Sequence, residues 1–247
     1  MWHIYRGEHL SLHSGIVHLW LAKLSKKDNK LSVFKKILSS DELAHADKFI
    51  KEENNIYYVI SKAVTRQILS RYLGISPEKI EFSVEKSGKP FVVGGELQFN
   101  VSHSGDYVLI GVTKKNPIGV DIERVRKNLD YLALAKRFFA PTEYNAIEML
   151  SFEKQIDAFY RCWTRKEAFI KATGLGLSFG LSNFTVDISE KLESSCLLSV
   201  SDKSFSKNDW DVRSIPCGNL QSSYFAAFAA HEKVEQIFYW CFSSELC

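Results

Sequence analysis

A chain of 247 residues, 45% hydrophobic and 25% charged, has the balance of a soluble globular protein and is long enough to bury a two-lobed core without disulfide staples. Its formal net charge of +3 gives neither a nucleic-acid coat nor a polybasic membrane tether, while leaving room for local basic patches that hold a phosphorylated ligand. The cysteines (Cys162, Cys196, Cys217, Cys241 and Cys247) have no C-x-x-C spacing, the first ten residues have no signal-like apolar region, and no apolar run is long enough to span a membrane, which together point to the cytoplasm.

In chain order, residues 16–24 alternate as a strand, and a basic stretch at 26–36 leads toward a helix. Ser39-Ser40-Asp41-Glu42 is a helix-start signal, and 54–73 carries apolar residues at helical spacing until Gly74 stops it. Strands are expected at 80–84, 91–93, 97–101 and 107–113, with turns at 87–90 and at Ser102 to Asp106. The polar stretch 114–117, ending in proline, divides the chain into lobes at 1–116 and 117–247. The second half restarts with a strand at 118–124, then helices at 132–139, 142–150 and 154–173, the last ended by Gly174. Further strands are expected at 183–188, 196–200, 210–215, 224–230 and 235–242. The class is therefore α+β: two similar lobes with pseudo-twofold symmetry, each a mainly antiparallel sheet packed with helices.

Asp121 and Glu123 lie two apart on an expected strand, so both side chains leave one face while Val120 and Ile122 leave the other. Two adjacent carboxylates on a buried edge repel and call for a cation, for which magnesium is the natural hard ion. A charged solvent face explains the same D-x-E pattern when it is taken alone. On the long helix, Trp163, Glu167 and Lys171 follow at i, i+4 and i+8, a pattern that an ordinary surface pair also produces. The segment from Phe99 to Gly105 could offer hydroxyl, imidazole and backbone N–H groups to a phosphate, or be a plain hairpin. Gly88-Lys89-Pro90 is a turn whose lysine could meet a phosphate, though no P-loop pattern surrounds it.

In order and spacing these segments resemble the 4′-phosphopantetheinyl transferase superfamily, in its long, two-lobed, Sfp-type class. The resemblance rests on LSSDELAHADKF at 38–49, GKP at 88–90, FNVSHS at 99–104, IGVDIER at 118–124, RFFAPTEY at 137–144 and WTRKEAFIKATGLGL at 163–177. It implies an enzyme that moves the phosphopantetheine arm of coenzyme A to a serine of an apo acyl or peptidyl carrier protein, releasing 3′,5′-ADP. It further implies a magnesium ion held by Asp121, Glu123 and Glu167, with Glu167 or Glu143 as base and Lys171 on the pyrophosphate. Lys89, Pro90, Ser102, His103 and Lys166 are the remaining residues implied to bind coenzyme A. A monomer follows, because the two lobes stand in for two subunits of the short class, and the site is expected in the cleft between them. One departure is Tyr57, where many relatives carry an arginine for the 3′-phosphate, the nearest cations here being Lys48, Lys51, Lys62 and Arg66. Competing readings are another magnesium-dependent phosphoryl or nucleotidyl transferase, a silent relative that only binds coenzyme A or carrier, and a plain interaction domain.

Overall fold

The computed structural model describes residues 2–25, 30–190, 194–218 and 223–242. Residues 26–29 of the basic stretch, and Cys247, lie outside the described residues. The strands are β1 (His3–Ile4), β2 (Ile16–Lys23), β3 (Phe82–Val84), β4 (Pro90–Val92), β5 (Leu97–Ser104), β6 (Tyr107–Lys114), β7 (Ile118–Arg124), β8 (Phe184–Val186), β9 (Leu197–Val200), β10 (Asp211–Ser214), β11 (Tyr224–Ala230) and β12 (Gln236–Cys241). The helices are α1 (Leu31–Lys36), α2 (Ser40–Ala46), α3 (Glu52–Leu73), α4 (Tyr131–Phe138), α5 (Pro141–Glu148) and α6 (Phe152–Thr173). The fold is mixed α+β with mainly antiparallel sheets.

Local chemistry sets the element ends. Ser39 accepts the Glu42 N–H while Glu42 accepts the Ser39 N–H, a reciprocal cap that starts α2. Gly74 and Gly174 take left-handed backbone angles just past α3 and α6, which costs a glycine no Cβ clash.

One sheet runs β1-β12-β2-β6-β5 and a second runs β10-β11-β7. Alternation along the strands builds three cores. Trp20 and Ala22 of β2, with Val108, Ile110 and Val112 of β6, face α3. The opposite side chains, Val17, Leu19, Leu21 and Leu109, meet Ile118, Val120 and Ile122 of β7 and Phe228 of β11. The other face of the second sheet buries Ala227, Ala229 and Val212 against Phe159, Phe169 and Ala172 of α6. The layers are thus helix, sheet, sheet, helix, with the two sheets face to face.

β12 pairs in parallel with β2 over Gln236 to Cys241. The last described strand therefore belongs to the first sheet, so the expected boundary at 116/117 does not separate the two sheets from each other. Its residues complete the apolar wall beside Trp20 and Tyr5, to which Trp240 adds its ring.

A candidate active site between the two sheets

β7 carries the acidic pair toward α6. Gly119 makes the approach possible: a Cβ there would stand 2.1 Å from the Ala168 carbonyl oxygen and 2.4 Å from the Ala172 nitrogen. With strand and helix backbones this close, Asp121 meets the last turn of α6, and Lys171 Nζ lies 2.6 Å from Asp121 Oδ1. Glu123 and Glu167 complete a group of carboxylates that feel one another's charge. Burial first, and then Asp121, push both glutamates above the ordinary carboxylate value, while Lys171 works in the opposite direction.

β5 forms the opposite wall. Ser102 to Ser104 continue the strand instead of turning, and the reversal is confined to Gly105 and Asp106, with Gly105 at φ 55°. The strand persists because its ladder with β6 runs on to Ser104 and because its even-numbered side chains bond to the free edge of β7. Asn100 Oδ1 accepts the Val120 N–H at 2.9 Å, Ser102 Oγ the Ile122 N–H at 3.4 Å, and Ser104 Oγ the Arg124 N–H at 3.1 Å. Each serine gives its one proton to a carboxylate: Ser102 to Asp121 Oδ1 at 3.0 Å, and Ser104 to Glu123 Oε2 at 2.8 Å. Lys171 Nζ also donates to Ser102 Oγ at 3.0 Å.

Two adjoining clefts open here. One, of about 690 Å³, is lined by Ser102, His103, Asp121, Glu123, Trp163, Glu167 and Lys171, among others. The other, of about 660 Å³, shares Val101, His103 and Glu123 and reaches Pro90, Tyr57, Tyr58, Lys62 and Arg126. Desolvation in the cleft, then the Lys171 ammonium, hold His103 below the ordinary imidazole value.

Asp121, Glu123, Glu167, Lys171, Ser102 and His103 thus line one cleft, Pro90 lines the adjoining one, and the other expected site residues line neither. Glu143 is buried in the second lobe, where it accepts the Ala140 N–H at 2.9 Å and the Val186 N–H at 2.7 Å. Its ion-pair partner, at 2.8 Å, is the fully buried Lys166, which also donates to the carbonyls of Leu181 and Phe184. The pair anchors α5 and β8 to α6, so the expectation of a catalytic Glu143 and a ligand-binding Lys166 is corrected: neither lines either cleft. Lys89 likewise turns its ammonium to the carbonyls of Ile118 at 2.9 Å and Ala172 at 3.5 Å. It ties the β3–β4 turn to the start of β7 and the end of α6, and it lines neither cleft.

Of the cations named near Tyr57, Lys62 lines the cleft. Arg66 is engaged by Glu42 and by the carbonyls of Pro77 and Ile80. Tyr57 donates to Asp106 Oδ1 at 3.1 Å. Arg126, which lowers the Glu123 pKa from beside it, was not foreseen. It lies just past the strand, where no alternation marks it.

The carboxylates suit a hard divalent ion. Asp121 Oδ2 is buried without a hydrogen-bond partner among the described residues, a vacancy in donors that a cation would fill. Among the described residues no three such side chains are gathered tightly enough to enclose an ion as they stand, and Lys171 supplies the counter-charge. The donor set therefore fits by chemistry, with side-chain rotation needed to close on the ion.

This fold and site define a two-lobed α+β protein whose interlobe cleft combines carboxylates, a lysine and an imidazole suited to a phosphorylated ligand. Residues 117–229 match the model of the 4′-phosphopantetheinyl transferase superfamily, and residues 23–115 match that of the 4′-phosphopantetheinyl transferase N-terminal region. The chain is 40% identical over 174 residues to 4′-phosphopantetheinyl transferase HetI of Nostoc sp., covering 68% of this chain and 73% of that one. It is 40% identical to the putative 4′-phosphopantetheinyl transferase slr0495 of Synechocystis sp. (62% and 64% covered) and 34% identical to 4′-phosphopantetheinyl transferase Sfp of Bacillus subtilis (66% and 71%). The chain belongs to the 4′-phosphopantetheinyl transferase superfamily, in its Sfp-type class.

Proposed function

We propose that the two clefts bind coenzyme A across the β5–β7 junction, and that Asp121, Glu123 and Glu167 would hold a magnesium ion there. As a 4′-phosphopantetheinyl transferase, the protein moves the phosphopantetheine arm of coenzyme A to a carrier-protein serine. The observation that carries the assignment of the site is the convergence of these carboxylates and Lys171 around the unpartnered Asp121 Oδ2.

The serine oxygen bonds to the phosphorus that bears the pantetheine arm, the bond from that phosphorus to the bridging oxygen breaks, and 3′,5′-ADP leaves with the electron pair. The serine proton passes to Glu167, whose raised pKa suits it to accept one. Lys171 neutralises charge that grows on the pyrophosphate oxygens, and His103 donates to a phosphate oxygen from the shared wall of the clefts. When bound, magnesium would supply further charge neutralisation at the leaving pyrophosphate. Lys62 and Arg126 serve the 3′-phosphate in the cleft where Tyr57 stands. Both acyl and peptidyl carriers are accepted as substrates, and the enzyme works as a cytoplasmic monomer.

The test is intact-mass spectrometry of apo acyl and apo peptidyl carriers incubated with enzyme, coenzyme A and magnesium. One added phosphopantetheinyl mass per carrier is expected, absent with EDTA and reduced at least a hundredfold in rate by Asp121→Ala. Undiminished transfer in EDTA would refute the metal, and undiminished transfer by Asp121→Ala would refute the site.

A further inference from the structure

Resting on the magnesium reading above, we infer that Ser104 is a positioning residue that holds Glu123 in the orientation from which it shares an ion with Asp121. β5 and β7 are edge strands of different sheets, and edge N–H groups need acceptors. The stripe Asn100, Ser102, Ser104 supplies them at every second residue, joining the two sheets through side chains where no backbone ladder exists. The two serines repeat one arrangement. Each accepts the N–H of the residue following a carboxylate and donates to that carboxylate, so the hydroxyl proton is fixed in direction.

The two carboxylates differ in what else holds them. Asp121 has Lys171 as well as Ser102. Among the described residues, Ser104 Oγ is the hydrogen-bond donor to Glu123, and Arg126 acts on it through charge. Removing the Ser104 hydroxyl therefore frees the glutamate side chain and also strips the acceptor from the Arg124 amide. Losing Ser102 would leave Asp121 tied to Lys171. Ser104 is itself buried and sits at the end of β5, immediately before the Gly105 turn, so its position is set by the strand on one side and the turn on the other.

The experiment compares Ser104→Ala and Ser104→Thr with the unaltered enzyme, each saturated with coenzyme A. Mn2+ binding is read by electron paramagnetic resonance, and exchange of the Arg124 amide by mass spectrometry. Ser104→Ala is expected to weaken Mn2+ binding about tenfold, the effect of one charge-assisted hydrogen bond, and to speed exchange at Arg124. Because Ser104 lines the cleft proposed for coenzyme A, coenzyme A affinity in EDTA is measured for each variant and the Mn2+ affinities are compared at full coenzyme A occupancy. Ser104→Thr, which keeps the hydroxyl, should restore Mn2+ affinity. Unchanged Mn2+ affinity in a folded Ser104→Ala protein overturns this inference alone. An unaltered enzyme that binds coenzyme A but no Mn2+ overturns the metal reading and this inference with it.

Discussion

At Glu167 the demands of chemistry and of stability oppose each other. Its folded-state pKa is raised by burial and then by Asp121. A carboxyl raised in this way is disfavoured as an anion in the fold, so it lowers stability as pH climbs above its unfolded value, and the full cost applies above its folded value. Glu123 contributes in the same sense. Glu167→Gln is therefore expected to melt a few degrees higher than the unaltered protein at neutral pH without metal, while transfer is lost. The gain should shrink as pH falls toward about 4.5, where the unfolded carboxyl also protonates. Calorimetry from pH 4.5 to 7.5 checks this, and an equal or lower melting temperature at pH 7.5 would refute it. The sequence showed Asp121 and Glu123 on one face because strand alternation is a local property. It could not show that Glu143 and Lys166 neutralise each other inside the second lobe, since that pairing depends on how α5 lies against α6. Nor could it show Arg126 or Lys62 beside the cleft, because a cation outside a repeating pattern has no signature until the chain folds.

The contact between β7 and α6 sets the geometry of the site. Gly119→Ala places a methyl group against backbone atoms of α6 that cannot step aside as a flexible side chain would. We expect a loss of about 2–3 kcal/mol or more in urea denaturation, with activity falling further than the folded fraction does. A variant as stable as the unaltered chain would mean that strand and helix can separate without cost. Helix ends were legible, since Gly74 and Gly174 mark them through a backbone conformation that other residues avoid. The length of β5 was not. Serine, histidine and glycine favour turns locally, whereas the β6 ladder on one side and the β7 amides on the other keep Ser102 to Ser104 extended.

On the scale of the whole molecule, the boundary suggested by 114–117 separates β6 from β7 but not the two sheets from each other, because β12 returns to β2. Periodicity marked 235–242 as a strand but could not name its neighbour, which lies some 220 residues away in the chain. Deleting residues from 236 onward should expose the edge of β2 and remove Trp240 from the ring cluster around Trp20 and Tyr5. Loss of the soluble folded protein is expected by near-ultraviolet circular dichroism, whereas a chain ended after 242 should keep its signal. A folded, active protein after the longer deletion would show that β12 is dispensable.

That return also constrains how the protein can be made. β2 leaves the ribosome some 220 residues before its parallel partner. In that interval the first sheet holds α3 on one face while one side of β2 stays open, so the nascent chain carries an unfinished edge until residues 236–241 have emerged.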